Sequence, residues 1–158
     1  MKTYLIGSAI LAAAFAATLP LEAQQAPQRP GSKSVAAITG DAHPIHYDRE
    51  YAMKTRFGER IVHGLYTASL ISTVIGMYLP GPGAVYLSQT LNFRAPVKIG
   101  DVITVVVEIA ELVEKGRRAK LKCECLVDGK VVLDGEALVM VPSREQATRA
   151  ADKPASAG

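Results

Sequence analysis

The sequence predicts an α+β domain in which one apolar helix lies against an antiparallel meander. Residues 63–79 carry no charged side chain apart from His63, and their apolar positions cover more than one face, as in a buried helix. Residues 102–141 follow with stretches in which apolar and polar side chains alternate, as in strands. Asp128-Gly129, between two of these stretches, is a two-residue hairpin signal. Strands that follow one another through tight turns, next to one apolar helix, indicate the α+β class.

Short helices are predicted before the long one. Residues 35–38 form an apolar turn that ends at Gly40, a residue that favours helix ends. Asp48 has the side chain of an N-cap and predicts a helix to about Thr55. Between them, Pro44 blocks a continuous helix and favours an extended His43, so residues 40–45 are predicted to form a loop.

Four strands are predicted after the run Pro80-Gly81-Pro82-Gly83, which ends the long helix. They span residues 84–94, 102–113, 117–127 and 130–141. Cys123 and Cys125 fall on one face of the third strand, too close along the chain for an easy disulfide. We interpret them as small buried apolar residues, rather than as metal ligands or redox groups.

The N-terminal residues 1–23 are predicted to be a signal-like or non-domain segment. Lys2 precedes an uncharged run with Pro20 near its end, and a basic tip before an apolar centre is typical of a secretory signal. A first helix packed on the domain is the alternative. Residues 24–34 are predicted to be a linker, 35–142 the domain, and 143–158 a flexible tail. The mature domain is expected to contain no stable membrane span.

Composition limits the classes of function. The 158 residues suit one domain, and 49% hydrophobic with 21% charged residues is a globular composition. The net charge of +3 comes from scattered lysines and arginines, and aromatic residues make up only 6% of the chain. These features predict no nucleic-acid partner. A mild positive charge is compatible with an anionic small-molecule substrate.

All three histidines lie within residues 39–64. Asp41 stands five residues before His46, across the proline-containing loop. A loop that brings a carboxylate close to an imidazole is a plausible acid/base pair.

Several segments together resemble one family. Thr39-Gly40-Asp41, Pro44-Ile45-His46 and Ile61-Val62-His63-Gly64 resemble the hydratase motif of the MaoC-like family, which includes the (R)-specific enoyl-CoA hydratases. Similar segments follow, and the resemblance covers residues 35–141: Leu79-Pro80-Gly81-Pro82-Gly83, Phe93-Arg94-Ala95-Pro96-Val97 and Gly100-Asp101. It implies the hotdog fold, a curved antiparallel sheet wrapped around a long central helix, and a homodimer.

The resemblance also implies roles for individual residues. Asp41 and His46 match the catalytic pair, which holds the water that adds to a trans-2-enoyl thioester and gives an (R)-3-hydroxyacyl thioester. Gly64 matches the residue whose backbone amide binds the thioester carbonyl, and Ser72 matches a pocket serine. His43 stands where the family usually has Asn. No metal and no other cofactor is implied, because CoA enters as part of the acyl-CoA substrate.

Other positions are assigned from their place in the sequence. His63 is interpreted as a neighbour of the pair that caps the helix start. The apolar helix and residues 78–87 are expected to line an acyl pocket. Two interpretations apply to Arg56, Arg94 and Lys98: cations that meet CoA phosphates, or solvated surface charge.

Three competing interpretations remain. Asp41 and the three histidines are acceptable zinc ligands, although their spacing matches no common zinc site. An acyl thioesterase on the same fold would need a carboxylate on the central helix, and residues 63–79 contain none. A non-catalytic, exported acyl- or lipid-binding module would account for the signal-like start. CoA chemistry favours the cytoplasm, whereas a genuine signal would place the protein in the periplasm or outside the cell.

Overall fold

The computed structural model describes residues 15–20 and 34–143, with only the backbone described for residues 15–20. The helices are α1 Val35–Thr39, α2 Pro44–Tyr47, α3 Arg49–Met53 and α4 Gly64–Met77. The strands are β1 Phe15–Pro20, β2 Val85–Gln89, β3 Asn92–Phe93, β4 Val102–Val113, β5 Arg118–Val127 and β6 Lys130–Met140.

The sheet is antiparallel throughout these strands. Its order is β1-β4-β5-β6-β2, and β3 also pairs with β6. The predicted meander of β4, β5 and β6 is confirmed. Asp128 and Gly129 connect β5 to β6 with φ angles of 49° and 75°, the positive values that a tight hairpin of this kind needs.

Helix α4 packs one face on the sheet. Its buried residues belong to one core with apolar side chains of β6 and of alternate positions of β4 and β5. The predicted helix is confirmed to within two residues at each end, but burial on nearly all sides is wrong. Leu65 is 67% and Met77 64% exposed. One sheet covers one face of a helix, so the opposite apolar face remains at the surface of the single chain.

The predicted strand 84–94 is divided into β2 and β3. At the division the backbone of Thr90 lies so close to Gly135 of β6 that a Cβ at Gly135 would overlap the Thr90 carbonyl oxygen. The Thr90 amide donates to the carbonyl of Glu136 at 2.9 Å, and the Thr90 hydroxyl accepts from the Glu136 amide at 2.9 Å. A glycine therefore lets this edge fold onto β6, which alternation alone does not predict.

The N-terminal prediction needs a correction at residues 15–20. These residues form β1, which pairs with β4 from Phe15↔Val107 to Pro20↔Val102, rather than a helix or a segment apart from the domain. A short uncharged run fits a strand and a helix equally well by pattern, and the partner strand decides between them. The linker at 24–33, the tail at 144–158 and any cleavage site in residues 1–14 or 21–23 lie outside the described residues. Within the described part of the chain, no helix is long and apolar enough to span a membrane.

The two cysteines are buried, as predicted, and neither forms a disulfide. Burial raises the pKa of the Cys123 thiol to about 11 and that of Cys125 to about 12. Because the thiolate is the reactive form, we expect neither native thiol to react readily with Ellman's reagent at pH 8. Unfolding in guanidinium should release both thiols, since the chain has 2 cysteines. Rapid reaction of the native protein would contradict this placement.

Candidate active site

Local hydrogen bonds hold the loop that carries Asp41. Gly40 ends α1 with φ 78°, and its amide donates to the Ala36 carbonyl at 2.7 Å. The Asp41 amide donates to the Thr39 hydroxyl at 3.2 Å, and Asp41 Oδ1 accepts from the His43 amide at 3.2 Å. This last bond is an Asx turn, which leaves Oδ2 as the carboxylate oxygen that faces the histidines.

His43 and Pro44 begin a short helix rather than continue the loop. His43 is extended with ψ 131°, as predicted, and its Nδ1 accepts from the Ile45 amide at 3.2 Å. Pro44 occupies the first turn of α2, where its missing amide hydrogen is tolerated. The prediction of a loop over residues 40–45 is therefore wrong at its last two residues. His46 therefore lies on α2, a short helix whose N-cap is His43.

The cap predicts how substitutions at His43 behave. His43→Asn should change the free energy of unfolding by no more than about 0.5 kcal/mol, because Asn is among the best N-cap residues. His43→Ala removes the acceptor for the Ile45 amide and should destabilise the fold by about 0.5–2 kcal/mol. Urea unfolding of the two variants and the wild type measures both effects. Equal stability of the Ala and Asn variants would show that the cap contributes nothing.

His46 is held in one tautomer. Its Nδ1 lies 2.8 Å from the Ile61 carbonyl oxygen, which can only accept, so Nδ1 carries a hydrogen and, in the neutral ring, Nε2 has the free lone pair. Nε2 lies 4.0 Å from Asp41 Oδ2. That separation is too long for a direct hydrogen bond, but it suits one water bonded to both atoms at about 2.8 Å. The His46 side chain is 13% exposed and that of Asp41 54%, so solvent reaches the pair from the Asp41 side.

His63 contacts both Asp41 and His46. It is buried, and its ring stacks on that of His46 with centroids 3.8 Å apart and planes inclined by 23°. Its Nε2 donates to the backbone carbonyl of Asp41 at 3.0 Å and lies 3.8 Å from Asp41 Oδ2. His63 occupies the N-cap position of α4, as interpreted, but its side chain makes no capping hydrogen bond. His63 instead holds Asp41 by a hydrogen bond and His46 by ring stacking.

A metal ion would find three ligands here. The ligand atoms of Asp41, His46 and His63 lie within 4.8 Å of one another, whereas His43 is not part of this group. Asp and His are ligand types that zinc accepts. To bind an ion, His63 would have to give up its hydrogen bond to the Asp41 carbonyl. The arrangement therefore suits a bridging water without rearrangement, and a metal only with one.

A cavity of about 320 Å³ adjoins His46 at the start of α4. Gly64, the first residue of α4, lines it, and no described residue accepts a hydrogen bond from its amide. A Cβ at Gly64 would lie 2.8 Å from Cε1 of Phe93, so the phenyl ring packs directly over the glycine. The other lining residues are mostly apolar: Phe57, Ile61, Val62, Thr67, Ala95, Pro96, Val97, Val132 and Leu133, with Arg56 and Arg94.

Of the other residues predicted to contact substrate, some line this cavity and others do not. Ser72 is exposed on α4 and does not line this cavity, and neither do residues 78–87. Arg94 lines the cavity but donates to Asp134 at 2.6 Å, and Lys98 forms an ion pair with Glu59. Thr67 also lines it, although it is not among the site residues that the sequence predicts. Its position three residues after Gly64, on the same side of the helix, was the available signal.

Comparison with known proteins identifies relatives along most of the chain. Residues 31–128 match the family described as MaoC like domain. A 3-hydroxybutyryl-CoA dehydratase of Methylorubrum extorquens is 64% identical over 112 residues, 71% of each chain. An (R)-specific enoyl-CoA hydratase of Rhodospirillum rubrum is 47% identical over 109 residues, 69% of this chain and 76% of that protein.

Solved structures support the same architecture. The (R)-hydratase from A. caviae involved in PHA biosynthesis matches with a TM-score of 0.70 at 35% identity, over 83% of this chain and 94% of that one. R-hydratase PhaJ1 from Pseudomonas aeruginosa, unliganded, matches with a TM-score of 0.70 at 38% identity, over 84% and 81%. The predicted α+β hotdog fold is confirmed, with α4 against the antiparallel sheet.

Proposed function

Because the chain belongs to the MaoC-like dehydratase family, we propose that it is a hydro-lyase that reversibly hydrates trans-2-enoyl-CoA to (R)-3-hydroxyacyl-CoA. One observation carries this proposal. Nε2 of His46, the ring nitrogen without a hydrogen in the neutral ring, lies 4.0 Å from Oδ2 of Asp41, beside a mostly apolar cavity. This is the arrangement that the addition of one water to an activated double bond requires.

The pair handles the protons of the reaction. Water bound between Asp41 and His46 loses a proton to one of them as its oxygen forms a bond to C3 of the enoyl group. The electrons of the double bond move toward the thioester carbonyl, and C2 then accepts a proton from the pair. Water is thus added without net oxidation or reduction, so no redox cofactor takes part. General acid–base catalysis of this kind contributes about 10²–10⁴-fold to a rate.

Gly64 supplies a donor for the charge that develops on the thioester oxygen. Its amide lies in the first turn of α4, where backbone amides have no partner within the helix. The helix dipole adds a partial positive charge at the same end. A donor placed where charge develops stabilises the enolate more than the ground state, which is what accelerates the reaction.

A short acyl chain suits the site. The cavity volume is about 320 Å³, near the lower end of small-molecule sites. The relative from Methylorubrum extorquens, 64% identical, is named for a four-carbon acyl group. Both observations favour crotonyl-CoA as the first substrate to test.

A homodimer is the assembly we propose. Helix α4, the residue after it and the edge strand β2 expose large apolar side chains that a second copy could cover: Leu65, Met77, Tyr78, Val85 and Leu87. Strand β2 is also an edge strand with an unpaired side. Sedimentation equilibrium at several protein concentrations measures the oligomeric state, and a monomer at all of them would refute this assembly.

The test of function follows the enoyl absorbance of crotonyl-CoA and of longer trans-2-enoyl-CoAs with purified protein. Chiral chromatography of the product reports its configuration, and we expect the (R) form. Absence of hydration at every chain length would refute the hydro-lyase assignment. Binding of acyl-CoA without turnover would favour the non-catalytic acyl-binding module, and release of free CoA thiol would favour the thioesterase.

A further inference from the structure

The hydroxyl of Thr67 is in an unusual position for a polar group. Thr67 is 2% exposed, and its Oγ1 is the only buried side-chain nitrogen or oxygen among the described residues that has no hydrogen-bond partner. A buried hydroxyl normally finds a partner, because its interactions with water are lost on burial. This atom therefore calls for an explanation in terms of function.

The backbone amide and carbonyl of Thr67 both have partners, so within this residue only the hydroxyl is unpaired. The Thr67 amide donates to the His63 carbonyl at 3.4 Å, and its carbonyl accepts from the Cys125 thiol at 3.8 Å. Threonines in helices commonly bond back to the carbonyl four residues earlier. Thr39 does so at 2.8 Å and Thr73 at 3.4 Å, whereas the hydroxyl of Thr67 does not.

The cavity is where a partner can come from. Thr67 lines it three residues after Gly64, so the two residues share one side of the first turns of α4. The wall around them is apolar, with Val62, Val97 and Leu133 among its residues, and these side chains offer no acceptor. A substrate oxygen brought to the Gly64 amide would enter the same part of the cavity.

We propose that the Thr67 hydroxyl donates a hydrogen bond to the thioester carbonyl oxygen of bound substrate, as a second donor beside the Gly64 amide. This inference rests on the proposed function and adds a residue to it. The bond strengthens as the carbonyl oxygen takes up negative charge in the enolate. The hydroxyl left unpaired in the free protein is then satisfied when substrate is present.

Thr67→Val keeps the shape of the side chain and removes the hydroxyl. We expect kcat for crotonyl-CoA to fall by about 10²-fold, as for loss of one oxyanion donor, and KM to rise by a smaller factor because the weaker bond to the ground-state thioester is also lost. Thr67→Ser retains the hydroxyl and should keep most of the activity. In urea, Thr67→Val should be at least as stable as the wild type, because it removes an unpaired buried polar group. A purely structural hydroxyl gives the opposite pair of results, lower stability with unchanged kcat per folded molecule.

Binding of butyryl-CoA, a saturated thioester that cannot be hydrated, keeps this test separate from the proposed function. Calorimetry should show weaker binding to Thr67→Val than to the wild type and to Thr67→Ser, even if the wild type hydrates no enoyl-CoA. Circular dichroism establishes that each variant is folded. Equal affinity of all three proteins for butyryl-CoA, or equal kcat of the wild type and Thr67→Val, would overturn the assignment of Thr67.

Discussion

Replacing Asp41 with Asn is expected to lower kcat for hydration by about 10²–10⁴-fold, the range for loss of a general acid–base group. An amide cannot take a proton from water at neutral pH, and it places a donor or a weaker acceptor opposite His46 Nε2. The fold should persist, because an Asn oxygen can still accept from the His43 amide. The bond from His63 is also kept, since it ends on the backbone carbonyl of Asp41.

Asp48→Asn is the matched control for this prediction. Asp48 caps α3 by accepting from the Tyr51 amide at 3.0 Å, and Asn caps a helix equally well. The same change of charge is thus made seven residues away without altering the pair. Steady-state kinetics with crotonyl-CoA should show nearly wild-type activity for Asp48→Asn alone. Unimpaired turnover by Asp41→Asn would refute the assigned mechanism, as would unimpaired turnover by His46→Ala.

Gly64→Ala should lower kcat/KM by about 10²-fold, the order of loss expected from misplacing reacting groups by about 1 Å. The added methyl group would lie 2.8 Å from Cε1 of Phe93, so the exposed phenyl ring must move. The methyl group also occupies the space through which a thioester oxygen reaches the Gly64 amide. Loss of access to this donor weakens binding of the transition state.

Two further variants identify the cause of that loss. Gly76→Ala makes the same substitution on the same helix where a Cβ meets nothing within 4 Å, and it should leave kinetics unchanged. Phe93→Leu in the Gly64→Ala background relieves the contact with the ring. If this second change restores full activity, the loss came from the displaced ring, and obstruction of the Gly64 amide by the added methyl group is refuted. We expect the double variant to remain impaired.

Periodicity made much of the fold predictable. The alternation in residues 102–141 indicates three strands, and a hairpin between the last two fixes their pairing, so β4 to β6 follow from local signals. Three features depend on contacts distant in sequence and had no such signal: the pairing of β1 with β4, the break at Thr90 and the exposed side of α4. The pattern of apolar residues in a helix does not indicate which face of that helix the sheet covers.

The site was predictable by residue type and less so by geometry. The motif pairs Asp41 with His46, and the structure brings the side chains of these two residues to 4.0 Å. The tautomer of His46 depends on Ile61, fifteen residues away, and the bond from His63 crosses 22 residues. Ser72 is predicted to be a pocket residue only because its position matches the family motif, and it lies on the exposed side of α4. Sequence order does not reveal which residues meet across the fold.

The hydrogen bond from His63 to the Asp41 carbonyl has a consequence for the energetics of turnover. His63 immediately precedes Gly64, so the Asp41 carboxylate, the His46 ring stacked on His63 and the Gly64 amide, which are the groups proposed for catalysis, are held together at the start of α4. These groups are in place before a thioester arrives, and little reorganisation energy is needed at the moment of reaction. We therefore expect arrival of substrate and departure of product, rather than assembly of these groups, to limit the rate.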